Sequence, residues 1–382
     1  MKIFFDAKQK KWGHRQAGKH FVWGKQGMKL EMRPFTPAIP FKVNAKSKQI
    51  GPLVGILTSS KKTSFAGNRN TFFRIHRSLQ RAGGIAYVFT PEDAGDHHVK
   101  GYVFNDKERR WSKSVLPYPD VVYNRVPYRD KENTDAFRSL IGHLEKMKIP
   151  YFNNSFLDKW TLYHVLKNDP ALERHLPATV EATEANLKEL LDDRRTVYFK
   201  PKAGQKGEGM FAVADCEDGR FLLRGHKENA YFSSFEELCD RIQFAIGNPA
   251  YLLQPRVRLA NHAGRPYDFR VMMQKIRKTW KVTGVGVRQA GKEAITTHVP
   301  RGGRLLSVDE VTPPVDLDEI YRLCKCAAER LDAAFHPLYE LSFDIGRDER
   351  GHHWLFEANA KPMVFDEPAI ESKRMRRLVA TF

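Results

Sequence analysis

Between residues 266 and 360 the chain repeats one pattern four times: "PYDFRVMMQKI", "TWKVTGVGVRQ", "YELSFDIGRD" and "HHWLFEANA". Each run is apolar and β-branched or aromatic, with polar residues entering at a spacing of two. In a strand, residues i and i+2 project to the same face. Glu357 and Asn359 therefore share a face of the last run, and Asp268 and Arg270 share a face of the first. The last two runs are joined by the short "ERG" and form a hairpin. Asp344 and Glu357 can then lie side by side across antiparallel strands. Two carboxylates placed that way repel each other unless a cation lies between them, and a hard divalent ion accepts the oxygen set Asp, Glu and Asn. Solvent would accept the same groups, so the rest of the chain has to decide.

The N-terminal half reads differently. "GPLVGILTSS" (51–60) is a buried strand, and "TFFRIHRSLQRAGG" is a helix with Phe72, Ile75 and Leu79 on one face and Gly83–Gly84 at its end. "IAYVFT" returns as a strand, which makes a βαβ unit and a parallel α/β domain the economical reading. Strand "DVVYNRV" and a helix over 135–147 complete it near residue 150. The first 48 residues, rich in lysine, aromatics and proline, are expected to form a small β-rich extension. The expected organisation is therefore an extension over 1–48, an α/β domain over 49–150, a second α+β domain over 151–370 and a basic tail over 371–382. The tail segment "ESKRMRRL" reads as a solvated helical face, and His352–His353 as an exposed pair.

At 382 residues two or three domains are expected, and 41% hydrophobic with 12% aromatic content excludes a disordered chain. The excess of 64 Lys+Arg over 45 Asp+Glu, a net +19, suits polyanions such as nucleotides, nucleic acid, acidic polymers or acidic membrane. A solubilising surface around one basic site accounts for it equally. Nucleic acid is not expected as the partner, because neither a helix-turn-helix nor an RNP-like aromatic pair is present. The opening "MKIFFDAKQKKWGH" is not a signal peptide, and no apolar stretch approaches 18–20 residues, so no membrane span and a cytoplasmic location are expected. Cys216, Cys239, Cys324 and Cys326 read as reduced packing residues. The chain has no G-x-S-x-G, H-E-x-x-H or C-x-x-C signal for hydrolase or zinc chemistry.

Another element is "VYFKPKAGQKGEGMFAV", where Lys200 ends an apolar strand and Gly204, Gly207 and Gly209 follow. A strand-end lysine meets phosphate as a point charge, and glycines let backbone N–H groups close on phosphate oxygens. The spacing is not the Walker pattern, and an ordinary hairpin loop fits the glycines as well.

In their order along the chain, "FNNSFLDKW", "YFKPKAGQKGEGM", "LLQP", "YDFRVMMQK" and "FEANAKP" resemble the ATP-grasp superfamily, and more closely its YheC/YheD group, described as endospore-coat-associated. The likeness runs over roughly residues 50–365. It implies a Rossmann-like pre-ATP-grasp domain followed by a two-lobed ATP-grasp domain. It further implies that Lys159, Lys200 and Lys202 contact ATP phosphates under the loop bearing Gly204, Gly207 and Gly209. The 252–255 linker, with Gln254 where many relatives have an acid, would meet the adenosine. Arg270 would face the γ-phosphate or an acyl phosphate, with His298 and Arg301 on the substrate side. Asp344, Glu357 and Asn359 would hold magnesium or manganese. The implied activity is ATP-dependent ligation of an acidic small molecule or polymer through an acyl phosphate. The alternative is a nucleotide-binding protein of spore-coat assembly that ligates nothing, with spore-coat proteins as partners and the coat as its location. "EANAKPM" lacks the glycine that often follows the proline in ligases, which leaves the acceptor loop undefined.

Overall fold

Alternation of buried and exposed side chains organises the chain from its first residues. Ile3, Phe5, Trp12, Trp23, Phe41 and Ile50 turn inward from a seven-stranded sheet over residues 2–51, while its ten lysines stay at the surface. The computed structural model of the chain describes residues 1–33, 38–154, 156–194, 196–204, 208–225, 229–291 and 303–382. The inward aromatics pack on Tyr87, Val99 and Leu116 of the next sheet, so the extension is seated by its own core.

That next sheet is parallel at its centre, in the order Ile85–Phe89, Leu53–Leu57, Val121–Asn124 and Tyr151–Phe152. Strands Leu53–Leu57 and Val121–Asn124 are buried along their whole length, as strands covered on both faces must be. The crossover helix Arg69–Ala82 starts where the Asn68 side chain accepts from Thr71 N–H. It stops where Gly83 turns to φ +83°, a left-handed conformation that a side chain would strain. Two antiparallel strands, Val99–Asn105 and Arg110–Leu116, extend one edge.

The rest of the chain folds as two antiparallel sheets. One orders Val180–Glu181, Tyr251–Pro255, Thr196–Pro201, Phe211–Asp215, Phe221–Arg224 and Asn229–Phe232. It is backed by helices Glu184–Arg194 and Phe235–Ile242. The other orders Arg304–Leu306, Thr279–Gln289, Arg265–Ile276, Glu340–Arg347 and His353–Asn359. Phe269, Val271, Phe343 and Ile345 point to one face of this second sheet and bury against helix Leu317–Phe335. The period of two then puts Asp268, Arg270 and Asp344 on the other face, and a bulge at Phe356 turns Glu357 to that face as well. Among the described residues, no helix is long and apolar enough to cross a membrane.

Two surface expectations are corrected. The last helix, Pro368–Thr381, is not a solvated basic tail: Arg374 is fully buried and pairs with Glu340 at 3.0 Å and Glu371 at 3.2 Å. Tyr123 of the parallel sheet donates its hydroxyl to the same Glu340 at 2.5 Å. Two carboxylates compensate the buried guanidinium, and the cluster ties the helix to both sheets. His353 is buried as well, beside Glu319 at 2.9 Å and against Phe269, because its position falls on the apolar face. The cysteines are free, with Cys239 and Cys324 buried and Cys216 and Cys326 half-buried.

Candidate functional site

The two antiparallel sheets face each other across a cleft of about 710 Å³. Lys200, Tyr198 and Ala212 line it from one sheet, and Asp344, Glu357 and Arg288 from the other. Lys159 enters from the first residue of helix Lys159–Lys167, whose start is set by the Asp158 side chain accepting from Thr161 N–H.

The hairpin pairing read from the sequence is present. Asp344 lies directly opposite Glu357, with a register shift immediately after Asp344. Arg270 lies opposite Asp344 on the other side, and Gly286 opposite Arg270, so one row crosses four strands. Each carboxylate already sits against a cation: Lys159 Nζ is 3.5 Å from Glu357, and Arg288 is 3.1 Å from Asp344. Asn359, opposite Ser342, follows Glu357 on the same face. Two carboxylates and an amide are hard oxygen donors, and the lysine and arginine supply the positive charge that a dication would bring. Among the described residues, no three acidic, histidine or cysteine side chains form a metal cluster, so such an ion would need further oxygens from a ligand.

Lys200 and Lys159 form the cationic end of the cleft. Burial pulls the Lys200 ammonium down to about 8, with the charge of Lys159 acting in the same direction and Glu357 opposing. The side chain as a whole keeps some solvent contact. Its ammonium is held by Gln254 Oε1, while Gln254 donates to Thr179 at 3.0 Å. Lys159 donates to the Gly204 carbonyl at 2.9 Å, which anchors the start of the glycine loop. Gly209 ends that loop at φ +70°. Lys202 lies 5.0 Å from the Trp160 ring.

Some expected residues stand elsewhere. Of the 252–255 linker, Gln254 and Pro255 line the cleft, while Leu252 and Leu253 lie in an interior strand paired on both sides. The stretch 256–259 after it lines the cleft as well. Arg270 does not line the cleft; its guanidinium lies 4.9 Å from the Phe365 ring, and its buried Nε has no hydrogen-bond partner among the described residues. Gly207, His298 and Arg301 lie outside the described residues.

Arg288, which sequence reasoning passed over, lines the cleft between its carboxylates, alongside Arg224, Arg256 and Arg258 elsewhere on the wall. It makes two hydrogen bonds to Asp268, at 2.9 and 3.0 Å, as well as its contact with Asp344. Burial disfavours its charge, but the two carboxylates outweigh that and raise its pKa. The signal was present: in "TGVGVRQ" Gly284, Gly286 and Arg288 alternate with valines. Arg129, from the parallel-sheet half of the chain, was also missed. It donates to the Leu157 carbonyl at 2.7 Å and lies within the electrostatic reach of Asp158 and Glu357. Beside it, the buried Lys361 pairs with Glu132 and lies 4.2 Å from the Phe156 ring. Burial lowers this lysine to about 8.

Comparison with known proteins agrees with this architecture. The profile of the YheC/D-like ATP-grasp family matches residues 148–381. The chain is 32% identical to endospore coat-associated protein YheD of Bacillus subtilis, over 84% of this chain and 75% of that protein. It is 25% identical to endospore coat-associated protein YheC of the same organism, over 73% of this chain and 81% of that protein. Its fold is similar to that of D-alanyl-alanine synthetase A from Vibrio cholerae, with a TM-score of 0.53 at 12% identity, covering 86% of this chain and 94% of that one.

Proposed function

The chain belongs to the YheC/D-like ATP-grasp family, and from that premise we propose that it is an ATP-dependent ligase that activates a carboxylate as an acyl phosphate. Residues 49–150 serve as its pre-ATP-grasp domain and 151–370 as its ATP-grasp domain. The observation that carries this reading is the meeting, in one cleft, of Lys159 and Lys200 with the directly opposed Asp344 and Glu357. These groups lie up to 198 residues apart in sequence, and their shared use is the neutralisation of a polyphosphate and its metal.

In this reading Lys159, Lys200 and Lys202 hold the phosphates, the 204–209 loop covers them, and Gln254 orients Lys200. Asp344, Glu357 and Asn359 would hold magnesium, which would supply positive charge that screens the γ-phosphate. Binding then displaces Lys159 and Arg288 from the carboxylates toward the phosphate oxygens. A substrate carboxylate oxygen attacks the γ-phosphorus, and the bond to the departing ADP oxygen breaks with its electron pair. Arg288 stabilises the charge on the transferred group from the cleft wall, Arg270 adds positive charge from the same sheet face beyond the lining, and no protein nucleophile takes part. His298 and Arg301 remain candidates for the substrate side. The basic surface favours an acidic substrate. The coat-associated relatives support a cytoplasmic protein that associates with the spore coat.

Thermal unfolding with ATP, with Mg-ATP and with neither tests the first step, followed by ADP release over pools of carboxylic acids and amines. Stabilisation that requires both nucleotide and magnesium, with ADP release on at least one pool, is the expected result. Absence of any shift overturns the nucleotide reading. A shift without turnover on any pool replaces the ligase with a nucleotide-binding assembly protein.

A further inference from the structure

The row Gly286–Arg270–Asp344–Glu357 continues beyond its last glycine. A Cβ built on Gly286 would meet Glu367 Oε1 at 2.0 Å. Residues directly opposite in antiparallel strands point to the same face. The Glu367 carboxyl therefore lies on the face that carries Arg270, Asp344 and Glu357, in the space that the missing side chain leaves. Ile370 occupies the equivalent space over Gly284, so two glycines at a spacing of two seat the entry to the last helix on the sheet. With strands about 4.8 Å apart, the Glu367 position is roughly 10 Å from the Asp344 strand, with Arg270 between them. The cleft is lined as far as Asp344 and Glu357, and Glu367 lies beyond its lining.

Resting on the ligase reading above, we propose that Glu367 receives an amine acceptor as its ammonium and takes a proton from it, freeing the lone pair that forms the amide bond. An amine arrives charged at neutral pH and has no lone pair to attack with until a base removes the proton. A carboxylate both attracts that ammonium and accepts the proton. The groups facing Glu367 are Asp366 on its own segment and Arg270 and Arg288 on the two long strands. Among the described residues it makes no ion pair with either arginine. Burial, opposed by a backbone hydrogen bond and the two arginines and helped by Asp366, raises the pKa of this carboxyl. The placement orders the reaction across the sheet: metal and phosphate at Asp344 and Glu357, acyl phosphate at Arg270, acceptor at Glu367. Glu367 takes one proton from the ammonium and so frees its lone pair, the amine nitrogen attacks the carbonyl carbon, the carbon–oxygen bond to phosphate breaks with its electron pair leaving on phosphate, and the second proton the nitrogen sheds on becoming an amide goes to the departing phosphate.

Hydroxylamine separates this step from activation, because it is uncharged at neutral pH and needs no base. The wild type and Glu367→Gln are incubated with Mg-ATP, a pool of carboxylic acids, and either hydroxylamine or a pool of amino acids and diamines. Glu367→Gln is expected to form hydroxamate within about twofold of the wild type. Its amine ligation at pH 7 falls about 100-fold, the lower end for loss of a general base. Its remaining amine rate rises about tenfold per pH unit as the free amine fraction grows, while the wild-type profile flattens. Gly286→Ala displaces the carboxylate without altering it and gives the same split. Amine ligation by Glu367→Gln at the wild-type rate overturns the inference. So does equal loss of hydroxamate and amide in a variant that keeps its Mg-ATP thermal shift. If the wild type releases no ADP on any pool, the ligase reading fails first and the inference falls with it.

Discussion

Raising the pH should weaken nucleotide binding through Lys200 in a way that one substitution can remove. In the free protein burial places its ammonium at about 8 against an ordinary 10.5. Polyphosphate beside it favours the charged form, so binding returns the group toward its ordinary value and takes up a proton. A ligand that prefers the protonated form loses affinity as pH climbs through the free-protein value. Between pH 7.5 and 9.5 the linkage amounts to about a 20-fold loss, or about 1.8 kcal/mol. The terminal phosphate, whose second proton leaves near pH 6, keeps constant charge over that window. The sign is opposite for the empty protein. The unfolded chain binds more protons between about 8 and 10.5, so the penalty of charging Lys200 falls away and stability rises with pH there. Calorimetric titration of Mg-ATP at half-unit pH steps reads the first effect. Lys200→Arg isolates it, since a guanidinium stays charged throughout and its affinity should be nearly flat. An equal slope in the arginine variant, or a flat wild type, would refute the reasoning.

Glu357→Gln keeps the shape of the hairpin but removes one of two opposed carboxylates. The stabilisation seen with ATP and a chelator should persist while the increment due to magnesium drops at least tenfold in affinity, read by thermal shift across a magnesium series. Arg288→Met leaves Asp268 and Asp344 without their shared cation, and equilibrium dialysis should show nucleotide affinity reduced by about 10- to 100-fold. Arg374→Met strands the buried Glu340, so urea unfolding should report about 3–5 kcal/mol less stability. Restoring neutrality with Glu340→Gln in the same chain should recover part of that loss.

Much of the candidate site was legible because strand periodicity is local information. "FDIG" and "FEAN" around a short turn bring Asp344 and Glu357 close together, and the bulge at Phe356 then sets them directly opposite each other. The same rule, applied to "TGVGVRQ", would have found Arg288, whose two preceding glycines leave room for the segment that closes over the sheet. The burial of His353 was missed for a related reason. A histidine at the start of a strand reads as exposed until the apolar face beneath it is known to carry a helix. The last helix was misread because "ESKRMRRL" is basic throughout, and only Glu340 and Tyr123, 34 and 251 residues away, make one of its arginines a core residue.

The amino-acid sequence alone determined which residues share a face within an unbroken run of strand, because the pleat repeats every two residues, whereas the bulge that turns Glu357 away from the face of His353 and Leu355 was decided by the fold. It also determined where helices begin and end, through side chains such as Asn68 and Asp158 that reach only to their own first turn. Tertiary structure alone decided that Lys159, Lys200 and Arg288 converge on the carboxylate hairpin, that Arg129 approaches from the other half of the chain, and that Glu367 fills the space over Gly286. Those meetings follow from how sheets stack, and stacking depends on apolar surface buried across the whole chain rather than on any short run of it.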